Sequence, residues 1–410
     1  MQASVIMHDD LASVIRENLV ARRADQFQFL ADLVKTPSVC GVQDMVAVTD
    51  VTFGALKDLE FGVERHAVTP DSASGMSAIT NLVVRHEFTA GPVVVLVANG
   101  DIRNAVGTWS VDLFDPQIRS GVIHGLGAVT KADITVYAHA LAALRDARPD
   151  LSGTVELHIV FDGEADGQWG TKWLLDNAIT NPDYAVGSGC AYGIGTSSTG
   201  SLQLQVDIET FGADISADPL EASAKVLDGL YKLRETYPDI RSDVSGIGSP
   251  SLVIGRIEGG DRPDETPGCV SFTLDRQVIP DEDPALVEAD LTQRIAEAAS
   301  AMDGIVCRIR RVKLSEPMKP GAGTDNLAGV LQRRAEAVTG QPVSVHGVPF
   351  GAVTRHYAAV GIPSVLYGAG PEMSAGVSPG GADECLVLDD LRKATEAVAL
   401  TLAEFMTPAG

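Results

Sequence analysis

Apolar residues recur at helical spacing from about Asp9 to Val34, at Leu11, Val14, Ile15, Leu19, Phe27, Phe29, Leu30, Leu33 and Val34, which predicts one or two amphipathic helices. Pro37 and Gly41 break that pattern, and a helix of about Gln43–Leu59 follows. Strands are expected at Val63–Ala67, Asn81–Arg85 and Val93–Ala98. The last is apolar throughout, as a strand covered on both faces should be. A helix of about Ala132–Arg145, a strand Thr154–Phe161, a helix Trp169–Asn177 and a short strand Asp183–Val186 continue the series. This alternation predicts an α/β layer around a mainly parallel sheet.

The pattern changes at Ser197-Ser-Thr-Gly-Ser, which reads as a hinge of small polar residues. Leu202–Thr210 alternates apolar and polar, like a half-buried strand. A helix of about Leu220–Thr236, strands Leu252–Ile257 and Val270–Val278, a helix of about Pro284–Met302 and a strand Gly304–Val312 complete a small α+β, ferredoxin-like set. The α/β pattern then resumes with a helix of about Leu327–Val338, a strand Val343–His346, a helix of about Thr354–Val360, a strand Ser364–Tyr367 and a final helix of about Asp389–Phe405. The expected organisation is a discontinuous α/β domain, 1–198 and 316–410, interrupted by an inserted domain, 199–315.

Composition narrows the function. The 410 residues carry a net charge of −24, which disfavours nucleic-acid and anionic-membrane partners, although acidity for solubility is the simpler reading. No apolar run approaches the length needed to span a bilayer, and the N-terminus lacks a basic-then-apolar leader. The five cysteines form no CxxC pair, which predicts neither a disulfide framework nor a cysteine zinc site and suits a reducing cytoplasm.

Six stretches carry a family resemblance. They are Lys35-Thr-Pro-Ser-Val; the segment Val93–Ala140; Phe161-Asp-Gly-Glu-Ala-Asp-Gly through Leu175; Gly259-Gly260 to Pro280; Gly351–Arg355 with Gly361-Ile-Pro and Tyr367-Gly-Ala-Gly; and Ala382-Asp-Glu-Cys-Leu-Val. Together they resemble the di-zinc amidohydrolases that include carboxypeptidase G, aminoacylase, acetylornithine deacetylase and the dipeptidases. That resemblance implies a peptidase-like α/β domain with an inserted lid or dimerisation domain, and a homodimer formed through the insert. It also implies a small-molecule substrate.

The resemblance further implies where metal ligands should stand, and most of those positions have changed. Zinc sites of this kind need His and carboxylate donors, and a nearby Glu to take a proton from the metal-bound water. The first His position is Asn99 and the bridging Asp is Thr130. In the preferred register the general base is Gly163 and a ligand is Glu164; shifted registers put Glu164 or Ala165 at the base. The next acidic ligand falls at Gly189 and the final His near Gly380, with no His after His356. The lid His corresponds to Ser216 and the lid Asn to Asp264. No metal and no other cofactor is therefore expected. Asp101, Glu164 and His356 are the candidate catalytic residues. Arg355 matches the family's carboxylate-gripping Arg, or is a surface Arg near a helix start. Asn99, Thr130 and Ser216 are the remaining candidates for contact with substrate.

His139 reads as a helix-surface or packing residue, His158 as a core histidine, Cys190 as a small packing residue, and Lys131 as a basic group able to replace metal charge. The leading functional expectation is a metal-independent enzyme acting on a small carboxylate-bearing amide or amino-acid-like substrate. A non-catalytic binding or scaffold protein comes second, and a conventional zinc amidohydrolase third.

Overall fold

The computed structural model describes residues 2–70, 76–147, 151–210, 217–260, 262, 264–372 and 376–407. In chain order the first elements are α1 (Gln2–Ala21), α2 (Arg23–Lys35), α3 (Val46–Asp58), β1 (Val63–Val68), β2 (Ile79–Thr89), β3 (Val93–Asn99), β4 (Gln117–Arg119) and β5 (Val122–His124). Next come α4 (Ala132–Ala147), β6 (Gly153–Val160), α5 (Thr171–Asp176), β7 (Tyr184–Gly187), β8 (Gly193–Ser198), β9 (Gly200–Thr210), α6 (Pro219–Thr236), β10 (Leu252–Glu258), β11 (Cys269–Val278) and α7 (Pro284–Ser300). The last are β12 (Ile305–Ser315), α8 (Thr324–Thr339), β13 (Ser344–Val348), α9 (Arg355–Ala359), β14 (Ser364–Leu366), β15 (Cys385–Val387) and α10 (Leu388–Phe405).

Two compact units result. One comprises Met1–Thr196, Pro320–Val345 and Ala352–Gly410; the other comprises Ser197–Lys319 and His346–Gly351. The first contains an eight-stranded sheet in the order β1-β2-β6-β3-β7-β14-β8-β13. Its centre, β6-β3-β7-β14, is parallel, and β1, β2 and β8 pair antiparallel around it. The unbroken apolar run of β3 has a simple cause. Val94, Leu96 and Ala98 face one core with α4 and α10, whereas Val95 and Val97 face a second with Leu174, Val353 and Tyr357. Helix α4 is buried at every position from Ala132 to Leu144, which explains a helix so rich in alanine: only small side chains let neighbouring helices approach it from several sides.

The second unit is a four-stranded antiparallel sheet in the order β10-β11-β9-β12. Leu202, Leu204, Val206 and Ile208 alternate inward onto Val226, Leu230, Leu291 and Ile295 of α6 and α7. Both helices begin with an Asp-Pro pair. Asp218 and Asp283 accept backbone N–H groups of the first turn, and the following prolines occupy positions that need no N–H. The βαββαβ pattern read from sequence is thus the observed one.

Two features add to the reading. The Ser197–Ser201 stretch, read as a hinge, follows the boundary between the two units at Thr196/Ser197, with β8 of the eight-stranded sheet ending at Ser198 and β9 of the four-stranded sheet starting at Gly200. Its residues are small because backbones come close there: a Cβ at Gly200 would lie 2.2 Å from the Ser315 carbonyl oxygen. A three-stranded sheet, β15-β5-β4, was also not anticipated. Its strands have three residues each, too short to show a period.

Candidate functional site

Ligands in open α/β sheets bind beyond the carboxyl ends of parallel strands. Here β3 ends at Asn99 and β6 leads into the loop Asp162–Gly167. Gly100 lies against the Phe161 ring, 2.3 Å from where its Cβ would be, so only glycine passes. The chain then places Asp101, fully buried, under the loop. Its two carboxylate oxygens accept the N–H groups of Gly163 (2.8 Å) and Glu164 (2.9 Å). Burial pushes the Asp101 carboxyl up to about 7, with the charges of Asp162 and Glu164 acting the same way.

The other side of the loop is held as firmly. Asp162 accepts from the Trp169 and Gly170 amides at 2.6 and 3.0 Å, and burial raises its pKa to about 6. Asp166 adopts φ 85°, a left-handed conformation uncommon for a non-glycine residue. Arg355 secures it: Nη2 lies 2.5 Å from the Asp166 carboxylate and donates to the Asp166 carbonyl at 2.7 Å. Both side chains are buried, 7% and 6% exposed. The guanidinium expected to face a substrate carboxylate, or to lie at the surface, is turned onto the protein's own loop. His356 joins it, with Nε2 2.8 Å from the same carbonyl and 3.0 Å from Arg355. Burial, then the Arg355 charge, lowers His356 to about 4, so the ring is neutral at pH 7.

That depression has a testable sign. An unfolded His binds its proton near pH 6.5, whereas the folded ring waits until about 4. The neutral ring's contribution is therefore present at neutral pH and lost as pH falls through that window. Urea unfolding should show a larger advantage of wild type over His356→Gln at about pH 7.5 than at about pH 4.5.

The reactive positions implied by the resemblance are filled by packing. A Cβ at Gly163 would meet the Asn99 side chain, its Nδ2 2.3 Å away. At Gly189 it would meet the backbone of Leu366 and Tyr367, with Tyr367 N at 2.6 Å. At Gly380 it would meet Arg103 Cγ at 2.6 Å and the Asn104 carbonyl at 2.9 Å. Glu164, the acidic side chain retained there, is engaged by Arg103, Nη2 to Oε2 at 3.0 Å and Nε to Oε1 at 3.4 Å. Asn99 offers a neutral Oδ1 that is buried without a hydrogen-bond partner.

The positions that the resemblance assigns to zinc ligands offer the Asn99 amide, the Thr130 hydroxyl and the Glu164 carboxylate, the last already paired with Arg103. Among the described residues no three His, Cys, Asp or Glu side chains are grouped to hold a metal ion.

Thr130 is half-buried in the turn before α4. Glu384, which sequence reasoning did not single out, ties that turn to the Gly380 loop by accepting from Val129 N and Gly380 N, both at 2.8 Å. Lys131 is fully buried and donates to Leu33 O and Thr36 O, both at 2.7 Å, satisfying carbonyls at the end of α2. Its N–H donors thus serve a helix end, while burial lowers its pKa to about 7. Asp133, likewise not singled out, accepts from Gly189 N and Ala369 N, and burial lifts it to about 7. Ser216 lies outside the described residues.

The remaining candidates behave as packing residues. His158 is buried between Glu156 and Tyr357. His139 is buried beside Phe29 and lowered to about 4 by desolvation. Burial raises the Cys190 thiol to about 11, which makes it a poor nucleophile. All five cysteines are free thiols.

Comparison with known proteins agrees with this architecture. Residues 103–404 match the profile of Peptidase family M20/M25/M40. A succinyl-diaminopimelate desuccinylase of Xanthomonas campestris pv. campestris is 23% identical over 367 residues, spanning 79% of this chain and 93% of that protein. Another from Anaplasma marginale is 35% identical over 103 residues, 23% of this chain and 25% of that protein. Among solved structures, the di-peptidase Dug1p from Saccharomyces cerevisiae superposes with a TM-score of 0.77 at 13% identity, covering 97% of this chain and 99% of its own. Human carnosine dipeptidase 1 superposes with a TM-score of 0.74 at 17% identity, with the same coverages. The fold class and family expected from sequence are both borne out.

Proposed function

This chain belongs to Peptidase family M20/M25/M40, and we propose that within it the chain is a metal-independent member whose cleft takes a small carboxylate-bearing amide or amino-acid-like molecule. The observation carrying this reading is steric. Room for side chains at Gly163, Gly189 and Gly380 is taken by Asn99, by the backbone of Leu366 and Tyr367, and by Arg103. A site that had lost ligands by drift alone would keep cavities where they stood.

In this reading Glu164 is the proton-transferring residue, because it is the carboxylate beside the loop that solvent reaches, its side chain 23% exposed. Asp101 and His356 act as positioning residues that fix the loop on which Glu164 stands. Asn99 and Thr130 contribute an amide and a hydroxyl to substrate contact, and Ser216 is retained as a contact candidate on sequence grounds. Arg355 acts through Asp166.

A second reading, a non-catalytic binding protein, is favoured by one observation: Asp101, Arg355 and His356 all spend their polar groups on the protein's own backbone. Turnover of an N-acyl amino acid that Glu164→Ala abolishes would exclude it. We further propose a homodimer formed through the inserted unit and residence in a reducing cytoplasm; light scattering should give twice the chain mass. No described helix is long and apolar enough to cross a membrane.

Elemental analysis tests the metal claim. Protein purified without chelator should carry zinc well below one equivalent per chain, and any amide hydrolysis should survive chelation. Stoichiometric zinc, with activity lost on chelation and restored by zinc, would overturn it.

A further inference from the structure

Arg103 stands out because no motif singled it out and yet it lies at the centre of the rebuilt region. Its aliphatic stem lies on Gly380, and its guanidinium meets Glu164 through both Nε and Nη2. A planar guanidinium that presents two parallel donors matches one carboxylate, whichever molecule carries it. Arg103 remains 55% exposed, in contrast to the sealed Arg355, so a solute can reach it. Exposed ion pairs of this kind contribute little net stability, so exchanging one carboxylate partner for another costs the fold little.

We propose that Arg103 is the carboxylate-recognition residue of this cleft, and that Glu164 is an internal stand-in which a ligand's carboxylate displaces. Displacement does two things at once. It anchors the ligand through a bidentate contact, and it releases the Glu164 carboxylate beside the newly bound molecule. The role expected of Arg355 thus falls to a residue from a different segment. This inference rests on the reading that the cleft takes a small carboxylate-bearing molecule.

The test uses the full chain with N-acetyl-L-alanine and succinate as probes and N-acetyl-L-alaninamide as the uncharged control, titrated by calorimetry or ligand-observed NMR. Glu164→Gln removes the internal competitor and should tighten the two carboxylates about 10-fold, while Arg103→Gln should weaken them at least about 10-fold. Arg103→Lys, which keeps charge without the fork, should fall between them. The amide control should respond to neither change. Thermal midpoints of these variants should stay within about 3 °C of wild type, because the pair is exposed. Carboxylate binding that is unchanged in Arg103→Gln, or absent from both wild type and Glu164→Gln, overturns the proposal. Unchanged binding in Arg103→Gln overturns the Arg103 assignment alone, whereas carboxylate binding absent from both wild type and Glu164→Gln overturns the reading on which it rests as well.

Discussion

Asp101→Ala should destabilise the protein by about 2–4 kcal/mol, because two loop amides lose their acceptors at about 1–3 kcal/mol each. The amides are those of Gly163 and Glu164. Asp101→Asn should recover part of the loss, since its one carbonyl oxygen can serve one amide while its NH2 faces the other. The pH dependence has a definite sign. Burial raises the folded pKa of Asp101 from 3.8 to about 7. The folded state therefore binds more protons than the unfolded state between those values, and the contribution of Asp101 to stability falls as pH rises through them. Wild type should exceed Asp101→Ala by more at about pH 5 than at about pH 8 in chemical denaturation. A difference that grows with pH would show that Asp101 is held as a stabilised carboxylate, and the burial argument would fail.

Arg355→Met should be equally severe, about 3–5 kcal/mol, because it takes the cation away from the buried Asp166 carboxylate and removes one donor to the Asp166 carbonyl. Asp166→Ala should cost a similar amount by taking the carboxylate away from a buried guanidinium. The double variant should cost clearly less than the two losses added together, since one interaction is being removed twice. This cycle separates two roles that sequence alone leaves equal. An Arg355 kept for a substrate carboxylate would lower affinity when replaced and leave the unfolding midpoint in place. One kept for the loop lowers the midpoint, and changes affinity only through misplacement of Glu164.

Much of this molecule was legible in its residue pattern. Periodicity located nearly every long element, because helices and strands that bury one face must repeat at 3.6 or 2 residues. The continuous apolar run of β3 announced a strand covered on both faces. Short strands such as β4, β5 and β15 carry no period, and the pairing of β15 with β5 joins segments far apart in the chain. In the Ser197–Ser201 stretch the change of character at the unit boundary was legible, whereas the close approach of the Ser315 backbone to Gly200 was not.

At the candidate site the division is sharper. That Asn99, Thr130, Gly163, Gly189 and Gly380 are the positions at which the resemblance implies zinc ligands or the general base is a reading the sequence alone can supply. Whether those positions left cavities or were packed shut is not, because it depends on side chains contributed by other segments. The tertiary structure alone sets the Asn99 amide against Gly163, the stem of Arg103 against Gly380 and the backbone of Leu366 and Tyr367 against Gly189. It likewise decides that Arg355 turns onto Asp166 while Arg103 faces solvent. Residue identity determines which charges and donors the chain can offer; long-range packing determines which of them are spent within the protein and which remain for a ligand. Backbone and side-chain polar groups must find partners once they leave water, and the nearest partner in space is seldom the nearest in sequence.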